Sequence, residues 1–247
     1  MIKKYGKVSK SVLIIVIVAI VVICLGAVAF FGISAVNKEK QEKVLSDEIT
    51  SMYTSQKINS QIKATGNFAI VEKAVKDYYT EFINANKDLI DVYSQNLLNN
   101  SLTANNISSD GPDFNKTKES IKKIKDIENT TIEKLEKLSS DEYIKEKKEA
   151  LNLNKYYSDL FESEIKNNLK IKEEVQNLKD LIKEYDGWIG KIEDILNFLT
   201  DNKSSWKVSG NNVMFTSDEL VTKYNTLLSS LLTQETVLKS KLNTLKQ

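Results

Sequence analysis

Histidine and arginine are missing altogether: of 247 residues, all 35 basic side chains are lysines. Histidine is the commonest general acid–base near neutral pH and the commonest metal ligand. Arginine supplies the planar fork that clamps phosphate or carboxylate through paired hydrogen bonds. Imidazole-based hydrolysis, imidazole metal sites and guanidinium phosphate clamps are therefore excluded. The only cysteine, Cys24, sits inside a long apolar run. The remaining chain thus has no disulfide, thiolate nucleophile or zinc–thiolate site. One proline and eight glycines leave little turn chemistry, which favours long helices over a turn-rich β architecture. No metal or cofactor is expected.

Charge excludes a further class. The formal net charge is +1, and Lys3, Lys4, Lys7 and Lys10 precede the apolar run with no acid among them. The rest of the chain carries 31 lysines against 34 acids, spread along its length. Nucleic acid needs clustered positive charge, so it is not an expected partner.

What is present begins with that apolar run. Residues 12–36 contain no charged side chain. A helix rising about 1.5 Å per residue over this stretch exceeds the ~30 Å hydrocarbon core of a bilayer. The run is too long for the apolar core of a cleavable signal peptide. Ile23, before Cys24, is not the small residue that lipidation requires. The expectation is a single transmembrane signal-anchor held by the lipid bilayer. The four lysines place residues 1–11 in the cytoplasm, with everything from residue 37 outside the cell membrane.

The remainder reads as all-α: an elongated antiparallel helical bundle with a small β-hairpin insertion near 206–215. Residues 37–66 are expected to form a stalk and connector, with Val44, Leu45, Ile49, Met52 and Tyr53 on one helix face. The bundle itself spans 67–247. Val71, Val75, Tyr78, Phe82, Ala85, Leu89 and Val92 alternate spacings of four and three, predicting a helix over 67–98. A polar loop, 99–113, contains the turn Asp110-Gly111-Pro112. Ile121, Ile124, Leu135 and Leu138 mark a helix over 113–138. Ser139 and Glu142 predict a capping box for a short helix ending near 151. One long helix follows over 155–199, with its seam from Ile171 to Leu199, interrupted by Gly187 and Gly190. Thr216 and Glu219 predict the cap of the last helix, with Leu220, Tyr224, Leu227, Leu231, Leu238 and Leu245 facing inward.

Between two helices the period changes to two. Trp206 and Val208, then a turn around Gly210-Asn211, then Val213 and Phe215 predict a hairpin. These four side chains are the candidate interaction surface, because aromatic residues are enriched at binding hot spots. The competing reading has them capping one end of the bundle, since two strands alone are marginal in water. Asp110, Asp113 and Asn115 lack the spacing of a calcium loop and read as a helix-entry turn. Acids such as Glu162, Glu164, Glu173 and Glu174 read as solvated faces balanced by lysines. No catalytic residue is expected.

The layout resembles single-pass surface proteins of low-GC Gram-positive bacteria. The segments that carry the likeness are TGNFAIVEKAVKDYY at 65–79, DGPDF at 110–114 and DILNFL at 194–199, followed by the tryptophan-containing ribbon. The resemblance implies no activity. The expected function is a non-catalytic, membrane-tethered interaction or scaffold module of the cell envelope, engaging a protein partner or a second copy. The alternative is a ligand-sensing ectodomain acting through a membrane partner.

Overall fold

The computed structural model describes residues 36–55, 57–95, 97–168 and 170–244. The expected anchor at 12–36 lies outside them except for Val36. Among the described residues no helix is long and apolar enough to cross a membrane.

The fold is all-α with one hairpin. Its elements are α1 Val36–Ser55, α2 Asn67–Ser94, α3 Ala104–Asp110, α4 Asn115–Ser139, α5 Asp141–Ala150, α6 Lys155–Ser163, a π-turn Glu164–Asn168, α7 Ile171–Asp201, β1 Trp206–Ser209, β2 Asn212–Phe215 and α8 Asp218–Thr244. Two compact units divide the described chain. Unit 1 holds 89–129 and 179–244, and unit 2 holds 36–88 and 130–178. Helices α2, α4 and α7 each contribute one part to each unit.

In unit 2 the seam of α2 is buried as the spacing predicts, from Val71 and Val75 to Tyr78, Phe82 and Ala85. Tyr78 turns its hydroxyl to the last turn of α4, donating to the Leu138 carbonyl at 2.6 Å. Of the residues read as a stalk and connector, α1 packs into this unit, and Ala64 of the connector is buried in it. Leu45, Ile49 and Met52 of α1 are buried, and so is Glu48 between them. Lys76 of α2, only 4% exposed, holds the junction. Its ammonium donates to Glu72 at 2.7 Å, to Glu48 at 2.9 Å and to the Gln61 carbonyl at 2.8 Å. The Glu72 carboxylate in turn accepts the N–H of Lys63 at 3.0 Å and that of Ala64 at 2.7 Å. Two backbone donors of the connector, which has no ladder of its own, are therefore satisfied by a buried acid.

Helix starts follow cap chemistry, one residue later than the spacing suggested. Ser140, not Ser139, caps α5 by accepting the Tyr143 N–H at 3.1 Å. Ser139 is still helical and donates to the Glu136 carbonyl. Likewise Ser217, not Thr216, accepts the Leu220 N–H at the start of α8. The expected long helix over 155–199 is broken. It ends in the π-turn and resumes after Lys170, whose φ of 44° no helix accommodates. Asn167 and Asn168, both poor helix formers, occupy the break.

In unit 1 the loop expected over 99–113 contains α3, capped by Thr103. Asp110 closes it and caps the next helix, accepting the N–H groups of Lys116 at 3.0 Å and Thr117 at 2.9 Å. Desolvation opposes its charge, but the Thr117 hydroxyl and both N–H groups hold Asp110 below the usual carboxylate range. Helices α7 and α8 run antiparallel. Gln234 donates to the Glu184 carboxylate at 3.1 Å, and Lys241 meets Asp180 at 3.3 Å. A Cβ at Gly187 would stand 2.8 Å from the Gln234 amide nitrogen, the far end of a flexible side chain, whereas Gly190 faces open space.

Lys76→Ala is expected to destabilise unit 2 by about 3–5 kcal/mol, since it removes the buried cation of Glu72 and leaves Glu48 only the half-exposed Lys63 ammonium. Lys73→Ala, which removes the exposed pair with Asp77, should change stability by less than about 1 kcal/mol. Urea unfolding of the full chain measures both, and equal losses would contradict the assignment.

Candidate functional site

The hairpin forms where the sequence places it. Trp206 pairs with Phe215 and Val208 with Val213 in an antiparallel register. Gly210 takes φ 59° at the first turn position, as a two-residue loop of this hand requires. Alternation puts Trp206, Val208, Val213 and Phe215 on one half-buried face and Lys207 and Met214 on the exposed one. Trp206 donates to the Leu199 carbonyl at 2.7 Å and stacks on Phe114, with ring centroids 6.5 Å apart. Phe215 lies between Phe198, at 5.7 Å, and Tyr224, at 5.1 Å. The four candidate residues are thus brought together, with both aromatic rings engaged by neighbouring elements of unit 1.

A second constellation has no counterpart in the sequence reading. Tyr93 of α2, Glu128 of α4, and Tyr185, Asp186 and Trp188 of α7 meet in the core of unit 1. Tyr93 and Tyr185 have centroids 4.6 Å apart, and Tyr185 stacks on Trp188 at 5.4 Å. The Tyr93 hydroxyl donates to Glu128 Oε1. Glu128 Oε2, Asp186 Oδ1 and the Trp188 indole nitrogen are buried without a partner. Glu128 is 1% exposed. Burial pushes its carboxyl up to about 8, and Asp186 pushes the same way. The Tyr93 hydrogen bond and the Lys125 charge pull against them. Burial also raises the Tyr93 and Tyr185 hydroxyls, with Glu128 adding to both. Chemically, this arrangement keeps a carboxyl neutral near pH 7 beneath a layer of aromatic rings.

The acids read as solvated faces divide. Glu162 lies between Lys148 at 2.6 Å and Lys166 at 2.7 Å, and Glu173 is exposed. Glu164 and Glu174, however, are buried, and burial followed by the Glu173 charge lifts Glu174 to about 8. The signal that would have found these groups is the seam itself. Glu128 and Thr131 fill the gap between Ile124 and Leu135 at spacings of four, three and four.

A third feature is the outward face of α8. Thr222, Thr226, Ser229, Thr233 and Thr236 repeat at four and three residues, and all are exposed. Each hydroxyl donates to the carbonyl four residues earlier. Such back-bonding satisfies the hydroxyls within the helix itself. Leu232, 45% exposed, and Val237, 43% exposed, flank the row. No charged residue occurs from 224 to 234.

Among the described residues no group of three or more acids or cysteines is placed to hold a metal ion. In comparisons with known proteins, no family model, no curated protein and no solved structure matches the chain.

Tyr93→Phe removes the hydroxyl donated to the buried Glu128 carboxyl, so it should cost about 1–3 kcal/mol. Met214→Ala, on the exposed hairpin face, should stay within about 0.5 kcal/mol. Thermal unfolding of the two full-length variants decides this, and a neutral Tyr93→Phe would count against the cluster.

Proposed function

We propose that the chain is a non-catalytic interaction or scaffold module of a bacterial cell envelope, tethered to the membrane through residues 12–36, with its helical part extracytoplasmic. The observation that carries this reading is the α8 face. In a chain where 28% of residues are charged, an exposed helix face of threonine and serine flanked by Leu232 and Val237 is suited to another helix. Small hydroxyl residues bonded to their own backbone let a partner backbone approach without leaving donors stranded. The lysine-flanked apolar run supports the tether, and its charge asymmetry supports the orientation. The likeness to Gram-positive surface proteins agrees with both.

The test uses the full chain in its native membrane, with Cys24→Ser and one new thiol, Thr233→Cys. A membrane-impermeant maleimide should label intact cells, and a short thiol–amine crosslinker should give one adduct of defined mass. An adduct at twice the chain mass identifies a second copy, and any other mass a different partner. Lys203→Cys, exposed beyond the end of α7, should be labelled without forming the adduct. Labelling that requires lysis would sink the orientation, and no adduct from position 233 would sink the interaction surface.

A further inference from the structure

We propose that the end of unit 2 built from Lys38, Phe68, Ile70, Tyr156 and Tyr157 is a seat on the lipid headgroups of the bilayer that holds the apolar run. The inference rests on the tether proposed above and adds to it a contact made by the folded part. Three helices meet at this end. The Lys38 ammonium of α1 lies 3.2 Å from the centre of the Tyr156 ring of α6. Tyr156 packs edge-on against Tyr157, with centroids 5.0 Å apart, and against Phe68 of α2 at 6.4 Å. Tyr157 meets Phe68 at 5.0 Å. Phe68 is buried, the two tyrosines are half-buried and Lys38 is exposed. Ile70, in the first turn of α2, is 42% exposed. Among the described residues of unit 2 it is the one large apolar side chain left so open.

The short chain between the apolar run and this cluster argues for what covers it. The run ends at Val36, where α1 begins, and Lys38 follows about 3 Å along the helix. Residues 12–36, as a helix, would exceed the hydrocarbon core by about 7 Å. Lys38 therefore stands about 3–10 Å beyond the hydrocarbon, and headgroups fill roughly the first 5–8 Å of that space. Helix α2 starts at the same level. Gln41 accepts the Thr65 N–H at 2.8 Å, and further along both helices Glu48 meets Lys76 at 2.9 Å. The two helices thus run parallel, and the connector returns the chain to where α1 began. A lone α1 would lift the unit away from the bilayer, whereas a parallel α2 brings its first turn down beside Lys38.

The side chains suit a headgroup layer. A tyrosine ring is apolar with a polar tip, and a lysine lays its stem on apolar surface while its ammonium stays among polar groups. An exposed isoleucine beside them reaches towards the acyl boundary. Net charge contributes little, because Glu39 and Glu42 accompany Lys38, Lys40 and Lys43, and Asp159 pairs with Lys155. The contact is therefore expected to survive salt.

The experiment uses the full chain with Cys24→Ser and one fluorophore-labelled thiol, in phosphatidylcholine–phosphatidylglycerol vesicles containing a headgroup-nitroxide lipid. The thiol is Asn67→Cys, at the start of α2, or Lys87→Cys, about 30 Å along the same helix, both exposed. The nitroxide quenches at close range, so the label at 67 should lose most of its fluorescence and the label at 87 should keep it. Equal quenching at both positions, or none at 67, overturns the seat. Quenching at 67 should persist at about 1 M salt, where charges are screened within about 3 Å, and its loss there overturns the seat. Lys38→Glu with Ile70→Glu separates contact from mere nearness to the tether. Quenching at 67 should fall in that variant, and unchanged quenching overturns the seat. If the pair lowers the thermal midpoint, Ile70→Glu alone replaces it, with the same two outcomes. Vesicle flotation keeps the two readings apart. A chain that floats but is not quenched at 67 loses the seat alone, and a chain that does not float loses the tether and the seat together.

Discussion

An ammonium group offers three N–H bonds, and Lys76 gives all three to fixed oxygens: Glu48 of α1, the Gln61 carbonyl of the connector and Glu72 of its own helix. The arrangement of unit 2 hangs on that saturation. Without Lys76, Glu72 would keep only the N–H groups of Lys63 and Ala64, and Glu48 only the Lys63 ammonium at 2.5 Å. Because the acids sit on α1 and α2, one cation fixes two helices and the extended chain between them. The pair is not evidence of great stability, since desolvating three charges offsets most of what their attraction contributes. What it supplies is register, because among the described residues Lys76 pairs with both carboxylates, whereas Lys63 pairs with Glu48 alone.

Both units bury acids within apolar seams, and they are held by two routes. Glu48 and Glu72 are met by a lysine, as is Glu235. Unit 1 places Glu128 under Tyr93 and Tyr185, where burial lifts the carboxyl to about 8 and keeps it neutral. The absence of arginine bears on this directly. A guanidinium stays charged under nearly any burial and clamps two carboxylates at once, whereas lysine is a point charge on a flexible stem. A chain whose cations are all lysines has fewer ways to neutralise a deep pair of acids.

Much of the helical layout was legible because apolar spacing reports burial directly. Every residue named in the α2 seam is buried, as is the α7 seam from Ile171 to Leu199. The hairpin was equally legible, because a change of period from 3.6 to 2 around Gly210 has few other meanings. The misses have physical causes. Both caps were placed one residue early because Ser139-Ser140 and Thr216-Ser217 each offer adjacent candidates, and only backbone geometry selects between them. The break after α6 was hidden because the apolar period survives on both sides of it. Glu48, Glu72 and Glu128 were missed, and Glu164 and Glu174 read as solvated, for a common reason: a search for apolar residues at seam positions passes over charged ones occupying the same positions. The candidate surface on the hairpin was found from residue type, whereas the Tyr93–Glu128–Asp186 cluster joins three helices that no local pattern connects.

The all-lysine inventory also makes the protein report on its own opening. Amine-reactive reagents will acylate the exposed lysines of the other helices without preference for any one of them. Lys76, 4% exposed and with its three protons engaged, is shielded until unit 2 separates. The extent of acylation at this one position, read by mass against its neighbour Lys73, is therefore a clock for how often α1 lifts away from α2.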